Sequence, residues 1–572
     1  MLLFRQPDLI LLHPPSVYDF RKRPIMFGPI SDVVPSTAIF EMYPFGFTTM
    51  AEYLTRHGFR VRIINVALGM LKSPAYDPER HIQGLRPRAF GIDLHWLPHA
   101  QGSLEVAKIC KQYHPEIPVI LGGFSSSYFY RELMEKPEVD FIIRGDSTEE
   151  PLRMLMKSLS RGERRDFSVI PNLVWKTSDG KVVVNELTHI PETLDHYDNS
   201  YGNMIRSAIR NLDIRGMLPI HDWWSYPVTA VMTCRGCEHA CSFCGGSRPG
   251  LKVFGNRNRP AFRSPDRIAS DILSVTRFTS APIFVVGDLR HPGEDYAEVV
   301  LSALDGKRVR NQVVLELFDE APGSYFKRLA EVFLNYNLEM SPESHDPEVR
   351  KLSGKHYSNE ELEDTIKAAL DAGCRKFDLF FMVGLPKQTP NSVMESIDYI
   401  ELLLERFAPR LVPFISPLAP FIDPGSPIYE NPEAFGYTLF HKSLEEFRGA
   451  MLGPSWKYAL SYETQWLSRE QIVNVTYEAA LRLNRLKTRF GLIDAKISKE
   501  VEDRILLAKE TMEQIDTILE LPQHEREKAL EDLRLQINRV NTGTLCEERE
   551  IKWPLLARNF RFLRIAWSLL KG

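Results

Sequence analysis

A chain of 572 residues with a formal charge of −4 and 44% hydrophobic residues is long enough for three to four folding units, and it lacks the basic excess of a general nucleic-acid binder. No apolar run reaches the roughly 18–20 residues that span a bilayer. The opening MLLFRQPDLILLHPP has neither a cationic start nor a small-residue cleavage site, so no signal peptide is expected. Seven cysteines, mostly clustered, point to metal chemistry in a reducing compartment and make the cytoplasm the expected location.

In chain order, residues 8–13 (DLILLH) form a short apolar run stopped by Pro14 and Pro15, the mark of a buried strand entering a loop. A helix is expected over 45–57, then strands over 61–66, 89–94, 118–122 and 139–144. Helical stretches are read at 103–113, around 130–135 and from 149 onward. Strands alternating with helices at this spacing predict a doubly wound α/β domain, whose ligands sit at the carboxyl ends of the strands. Those ends carry Pro14, Pro15 and Ser16, then Asp93 and His95, then Gly122, Gly123 and Ser125, then Gly145. The glycine pair allows a flat ligand or a phosphate to approach the backbone closely.

Residues 172–185 read as a hairpin around an Asp-Gly turn. The stretch 195–225 is polar and irregular, and its Trp223-Trp224 pair suits packing between domains.

Residues 233–247 (TCRGCEHACSFCGGS) hold four cysteines, three of which, Cys237, Cys241 and Cys244, stand at Cys-x3-Cys-x2-Cys spacing. Three thiolates closing on a glycine-bearing loop can wrap one inorganic centre. A structural zinc takes four ligands and an ordinary iron–sulfur cubane takes a cysteine for each iron, so three leave one metal position open. A zinc loop that adds Cys234 is the alternative; its spacing is crowded and unlike two separated knuckles.

From 226 to about 430, strands are expected at 228–232, 283–286, 313–317, 338–340, 377–383 and 411–416, each followed by helical or loop sequence. This repeat suggests a barrel or part of one, with its chemistry at the carboxyl ends of the strands. The cysteine loop follows the first strand, Gly287-Asp288 the second, Glu343-Ser344 the fourth and Gly384 the fifth. Asp288 also reads as an ordinary loop carboxylate or helix cap. Beyond 438, helices are expected at 469–490, 499–519 and 524–538. The tail interleaves Arg558, Arg561 and Arg564 with Phe560, Phe562, Leu563, Ile565 and Trp567. Such a helix can lie on an anionic membrane surface, or it can cover a groove of the core.

The cysteine spacing, with Phe243 before the last cysteine, resembles the signature of the radical S-adenosylmethionine (radical SAM) enzymes. The first 165 residues resemble the cobalamin-binding domain that precedes many such cores: Pro-Pro after the first strand, Leu-Gly-Gly before a small polar residue, and a strand ending in Arg144-Gly145-Asp146. One departure stands out. Cobalamin domains that supply a lower axial ligand carry Asp-x-His-x-x-Gly, whereas Pro98 occupies the glycine position after Asp93-x-His95.

The resemblance implies an α/β protein: a Rossmann-like cobalamin domain over 1–165, a hairpin-bearing linker over 166–225, a partial (β/α)6 radical SAM core over 226–430 and a helical region over 431–572. It implies a 4Fe-4S cluster on Cys237, Cys241 and Cys244, with Cys234 a neighbour and not a ligand. It implies SAM contacts at Phe243, Gly287, Asp288, Glu343, Ser344 and Gly384. Cobalamin contacts fall at the strand-end residues named above, Pro14 through Gly145. The expected activity is cleavage of SAM to a 5′-deoxyadenosyl radical with cobalamin-assisted C-methylation of a small-molecule or lipid substrate. A radical cyclisation, rearrangement or C–C bond formation on a lipid or tetrapyrrole is the alternative, and a non-catalytic cobalamin or redox sensor is an alternative of another class. An external donor of flavodoxin or ferredoxin type and peripheral membrane contact through the tail are the expected partners.

Overall fold

The computed structural model describes residues 6–29, 37–160, 166–198, 218–541 and 545–553. The amphipathic tail beyond Trp553 and residues 199–217 of the linker lie outside these residues.

The first strand, β1 (Leu9–His13), is apolar along its whole length and buried throughout. That continuous pattern belongs to a parallel strand covered on both faces. Leu9 and Leu11 face a core with Phe47, Leu54, Leu152 and Leu155, whereas Ile10 and Leu12 face another with Leu104 and Ala107. The period of two therefore divides one strand between two helical layers. The sheet also holds β2 (Val61–Asn65), β3 (Ala89–Asp93), β4 (Val119–Gly122), β5 (Phe141–Ile143), β6 (Leu173–Lys176) and β7 (Val182–Val184), in the order β2-β1-β3-β4-β5-β6-β7. β1 to β5 pair in parallel. The hairpin read as part of a linker instead extends this sheet, antiparallel to β5. Strand order reverses between β1 and β3, so the crevice at their carboxyl ends is the place where such a sheet takes a ligand.

The second sheet is built from β8 (Thr229–Met232), β11 (Ile283–Val286), β12 (Val313–Leu317), β13 (Tyr336–Glu343), β14 (Phe377–Val383) and β15 (Leu411–Pro417), in the order β15-β14-β13-β12-β11-β8 and all parallel. Between β8 and β11, the short strands β9 (Cys234–Arg235) and β10 (Ala261–Phe262) pair antiparallel and hold the base of the cysteine loop. β13 is longer than the three residues expected for it. Its added positions include Asn337, Ser341 and Glu343, polar residues that hide an alternating pattern in the sequence.

The helices Arg469–Arg489, Ala495–Leu519 and Gln523–Val540 follow, and the first packs against β15 at the open edge of the six-stranded sheet. A capping box of Ser468 and Gln471 starts that helix. The described chain ends inside the sheet: the Trp553 indole donates to Glu339 Oε1 at 3.0 Å, and its backbone N–H donates to the Tyr226 hydroxyl at 2.7 Å.

Candidate active site

The cysteine loop leaves β8 and folds back on itself. Cys244 N–H donates to Cys241 O at 3.3 Å, Ser247 N–H to Cys244 O at 3.2 Å, and Arg248 N–H to His239 O at 2.8 Å. A Cβ on Gly250 would lie 2.0 Å from Gly245 O, so glycine is required where the loop meets its following helix, Arg248–Gly255. The far side is tied beyond β15, where Asp423 Oδ2 accepts from Gly245 N–H at 3.0 Å. Cys237, Cys241 and Cys244 are all half-buried. Desolvation raises each thiol, Cys237 to about 12, so binding a metal centre as thiolates must release protons. Cys234 is buried, its thiol directed at Gly236 O at 3.4 Å.

Lys355 and Glu343 stand beside this loop. A Cβ on Gly354 would lie 2.8 Å from Cys241 Cα, which puts the next residue against the loop. Lys355 Nζ donates to Ser341 O at 2.6 Å and pairs with Glu343 Oε1 at 3.3 Å. Glu343 is non-glycine yet has a φ of 67°, at an irregularity in the β13 register after Met340. Its other oxygen, Oε2, is buried without a hydrogen-bond partner. A strained backbone together with an orphan carboxylate oxygen is what a ligand-holding position looks like before its ligand arrives.

The remaining expected SAM residues divide. Gly287 presses on the loop base, because a Cβ there would lie 2.4 Å from Thr233 Oγ1. Asp288 does not present a free carboxylate: it accepts from Arg290 N–H at 2.8 Å and Phe318 N–H at 3.0 Å, and it pairs with the Arg290 guanidinium at 2.8 Å. These bonds are those of an ordinary loop carboxylate, and the helix that follows is capped at Gly293 instead. The acid that does reach this strand end is Glu316, whose Oε2 accepts from Gly287 N–H. Desolvation pushes its carboxyl up to about 7. Gly384 also serves the fold: its N–H donates to Gln388 Oε1 at 2.9 Å, its carbonyl accepts from the Tyr437 hydroxyl at 2.5 Å, and Tyr462 fills the space a Cβ would need. Ser344 accepts from Asp346 N–H at 3.2 Å, and Phe243 packs in the main core.

At the carboxyl ends of the first sheet, the expected residues gather but bond differently from the Asp-x-His pattern. Asp93 turns away from His95 to His13, its Oδ1 2.9 Å from His13 Nδ1. His13 Nε2 and His99 Nε2 both lie within 3.0 Å of Phe40 O. His95 has its ring beside Trp96 and Phe124, and desolvation pushes its imidazole down to about 4, so it is neutral. Its backbone carbonyl accepts from Ser125 N–H and Oγ. Gly123, at φ 114°, sits against His95 because a Cβ would fall 2.5 Å from His95 Cα. Gly122 O accepts from Leu94 N–H, and Gly145 N–H donates to Ser127 Oγ at 2.9 Å. Pro15 O lies where a Cβ on Gly102 would be, at 1.8 Å, so Gly102 seats its helix on the Pro14-Pro15 turn. Ser16 Oγ, Asp93 Oδ2 and His99 Nδ1 are buried without partners, so this face keeps polar capacity for a large polar ligand.

Two arginines that the sequence reading did not single out lock the two sites together. Arg235, between Cys234 and Gly236, donates to Asp146 O at 2.9 Å and to Glu149 Oε2 at 3.0 Å. Burial alone would raise the Glu149 carboxyl, but Arg235 and His196 together outweigh it and hold the group well below the usual range. Arg257 grips both Asp146 oxygens, at 2.7 and 3.0 Å. Asp146 ends the Arg-Gly-Asp run, so that motif's acid fastens the first sheet to the second. Phe124 stacks on Phe254 across the same junction, with ring centroids 5.0 Å apart.

With this geometry in place, the comparisons with known proteins are direct. Residues 231–400 match the Radical SAM superfamily and residues 32–153 match the B12 binding domain. The chain belongs to the radical SAM enzymes that carry a B12-binding domain. The cofactors of that class are a [4Fe-4S] cluster, SAM and cobalamin, and the three-thiol set and the two partly unsatisfied faces fit them.

Among curated relatives, it is 25% identical over 305 residues to the hopanoid C-3 methylase of Methylococcus capsulatus, 53% of this chain and 52% of that one. It is 25% identical over 183 residues to the anaerobic magnesium-protoporphyrin IX monomethyl ester cyclase of Rubrivivax gelatinosus, 32% and 30% of the two chains. The chain thus spans about half the length of the first relative and less than a third of the second.

Its fold is shared with the radical SAM methyltransferase TsrM of Kitasatospora setae (TM-score 0.57, 15% identity, 86% of this chain and 90% of that one). The cobalamin-dependent SAM radical enzyme OxsB is also similar (TM-score 0.54, 12% identity, 99% and 83%). No helix among the described residues is long and apolar enough to cross a membrane.

Proposed function

We propose that this enzyme methylates an unactivated carbon of its substrate at the junction of the two sheets. The observation that carries this reading is Arg235. It stands two residues before the first cluster cysteine, and its guanidinium is held by the B12-binding domain. A residue shared in this way fixes the cysteine loop against the cobalamin face, as passing a group between the two requires. When bound, the cluster and SAM supply a hydrogen-abstracting radical, and cobalamin supplies a methyl group. The methylases among the relatives and fold neighbours support this reading.

The chain's own residues have separate tasks. Cys237, Cys241 and Cys244 would hold the cluster and leave one iron open. Lys355 holds Glu343 in place, and Glu343 Oε2 is the free acceptor for the amino or ribose groups of SAM. Glu316 receives Gly287 N–H and keeps that strand end closed. The Phe124–Phe254 stack excludes water between the domains. Nothing in these tasks makes the electron, so an external donor of flavodoxin or ferredoxin type completes the system.

The test is anaerobic reconstitution with cluster, SAM and cobalamin, followed by assay of the small products. The reading expects 5′-deoxyadenosine together with S-adenosylhomocysteine when the substrate is present. 5′-Deoxyadenosine without S-adenosylhomocysteine in the presence of a consumed substrate would favour cyclisation or rearrangement. Neither product, with the cluster intact, would sink the radical reading.

A further inference from the structure

We propose that His291 is a positioning residue for the cluster: it takes up the backbone N–H that follows Cys237 and so keeps that donor off the Cys237 sulfur. The cluster then stays strongly reducing, as cleavage of SAM requires. The inference rests on the three-cysteine cluster and not on methyl transfer.

The turn after β11 is shaped to present this ring. Asp288 Oδ1 accepts from Arg290 N–H at 2.8 Å, and Asp288 O accepts from His291 N–H at 3.0 Å. The Arg290 guanidinium reaches across to Asp319 O at 3.0 Å and Glu320 O at 2.7 Å, which ties the turn to the loop after β12. With its backbone fixed in this way, His291 lays its ring against the cysteine loop, where Nε2 accepts from Glu238 N–H at 2.9 Å. The Asp288–Arg290 pair thus serves the cysteine loop from the neighbouring strand.

The chemistry of the ring fixes the direction of this bond. A backbone N–H can only donate, so Nε2 is the acceptor and the imidazole proton sits on Nδ1. The Cys237 thiol and one ring nitrogen each of His239 and His291 lie within 4.8 Å of one another. By composition such a trio suits a divalent cation. Here the cluster claims Cys237 and Glu238 N–H occupies His291 Nε2, so the trio is not a second metal site. Glu238 N–H, one peptide bond from Cys237, instead has two acceptors within reach, the sulfur and the imidazole, and the imidazole holds it.

Packing keeps the ring from swinging away. His291 stacks on His239 with ring centroids 5.3 Å apart, and Phe318 meets the two rings edge-on at 5.4 and 5.7 Å. Phe318 is itself seated by Asp288, whose Oδ2 accepts its N–H at 3.0 Å. His239 Nε2 lies 3.3 Å from Asp319 Oδ2. One carboxylate therefore orients both the ring that accepts and the ring that backs it. Hydrogen bonds to its sulfurs help to set the potential of an iron–sulfur cluster. The reduced cluster carries more negative charge and gains more from each donor, so diverting one donor makes it more reducing.

The experiment is an EPR-monitored redox titration of the full chain, reconstituted with its cluster and without SAM. His291→Phe keeps a flat ring in the stack and removes the acceptor. Its midpoint should rise, the reduced form being favoured about tenfold, which is about 59 mV for one electron. His291→Gln puts an acceptor back where Nε2 stands and should return the midpoint to the wild-type value. Loss of the cluster in His291→Phe that His291→Gln prevents would support the same role. A midpoint unchanged or lowered in His291→Phe, or displaced as far in His291→Gln, would overturn the proposal. So would loss of the cluster in both variants, because the ring would then act by packing alone. With no SAM present, a failure of methyl transfer leaves these outcomes untouched.

Discussion

The cysteine loop and the cobalamin face are two ligand sites of one molecule, built on opposite principles. The loop carries its three thiols within eight residues of contiguous chain, so spacing alone predetermines what they can surround. The cobalamin face gathers its groups from the ends of separate strands, and there local spacing misleads. Asp93 and His95 are two apart in sequence, yet Asp93 bonds His13, eighty residues away, and the His95 ring lies tilted against Phe124. A contiguous motif reports chemistry; a strand-end motif reports only that the strand ends there, because β3 closes at Asp93 and His95 lies beyond it, where the strand's period of two no longer aligns their side chains.

The largest effects should come from the contiguous site. Cys237→Ala, Cys241→Ala or Cys244→Ala should each abolish the brown cluster absorbance after reconstitution, and Cys234→Ala should leave it. Loss in Cys234→Ala with retention in Cys237→Ala would exchange the ligand assignments and break the contrast.

The seam between the sites comes next. Arg235→Ala strands the Glu149 carboxylate in a buried site and should destabilise the fold by about 3–5 kcal/mol, read from urea midpoints near neutral pH. The Arg235→Met, Glu149→Leu double variant should recover most of that loss. Because the folded Glu149 carboxyl lies below its unfolded value, its contribution is complete above the unfolded pKa of about 4.3. It fades as pH falls through the folded value. Stability of the wild type should therefore drop in acid more steeply than that of the double variant.

A smaller effect is expected at Lys355. Lys355→Met leaves Glu343 buried without its cation and should weaken SAM binding about tenfold by equilibrium dialysis, the size of one lost charge-assisted contact. The smallest belongs to His95. His95→Phe should change cobalamin affinity by no more than about threefold, because the ring lies among aromatic side chains; a larger loss, with a changed Co(II) EPR spectrum, would restore it as an axial ligand.

Much of the fold was legible before the structure. Short apolar runs closed by Pro or Gly marked β1, β4 and β14, and the three long helices after residue 468 announced themselves by period and by the lack of internal breakers. β13 was cut short because its inward side chains are polar, and a polar lumen looks like a loop in sequence. The places of the three-cysteine loop and of Glu343 were readable because each stands on a single loop or strand end. Glu316 and the Arg235–Glu149 pair were not, since their meaning is a tertiary contact between segments far apart in sequence. Asp288 was readable only as a carboxylate at a strand end; that Arg290 and Phe318 already occupy it depends on how the turn closes. Gly384 likewise showed the need for a glycine, but not that Tyr462 is what presses on it.

The central claim is that Arg235 and Arg257 hold the cluster loop and the cobalamin face at one fixed separation. A pulsed EPR distance measurement between the reduced cluster and Co(II) cobalamin, in the reconstituted enzyme, tests it most directly. A single narrow distance distribution in the wild type, broadened in the Arg235→Met, Glu149→Leu double variant, is the predicted result. A distribution already broad in the wild type, or one unchanged when that pair is removed, would contradict it.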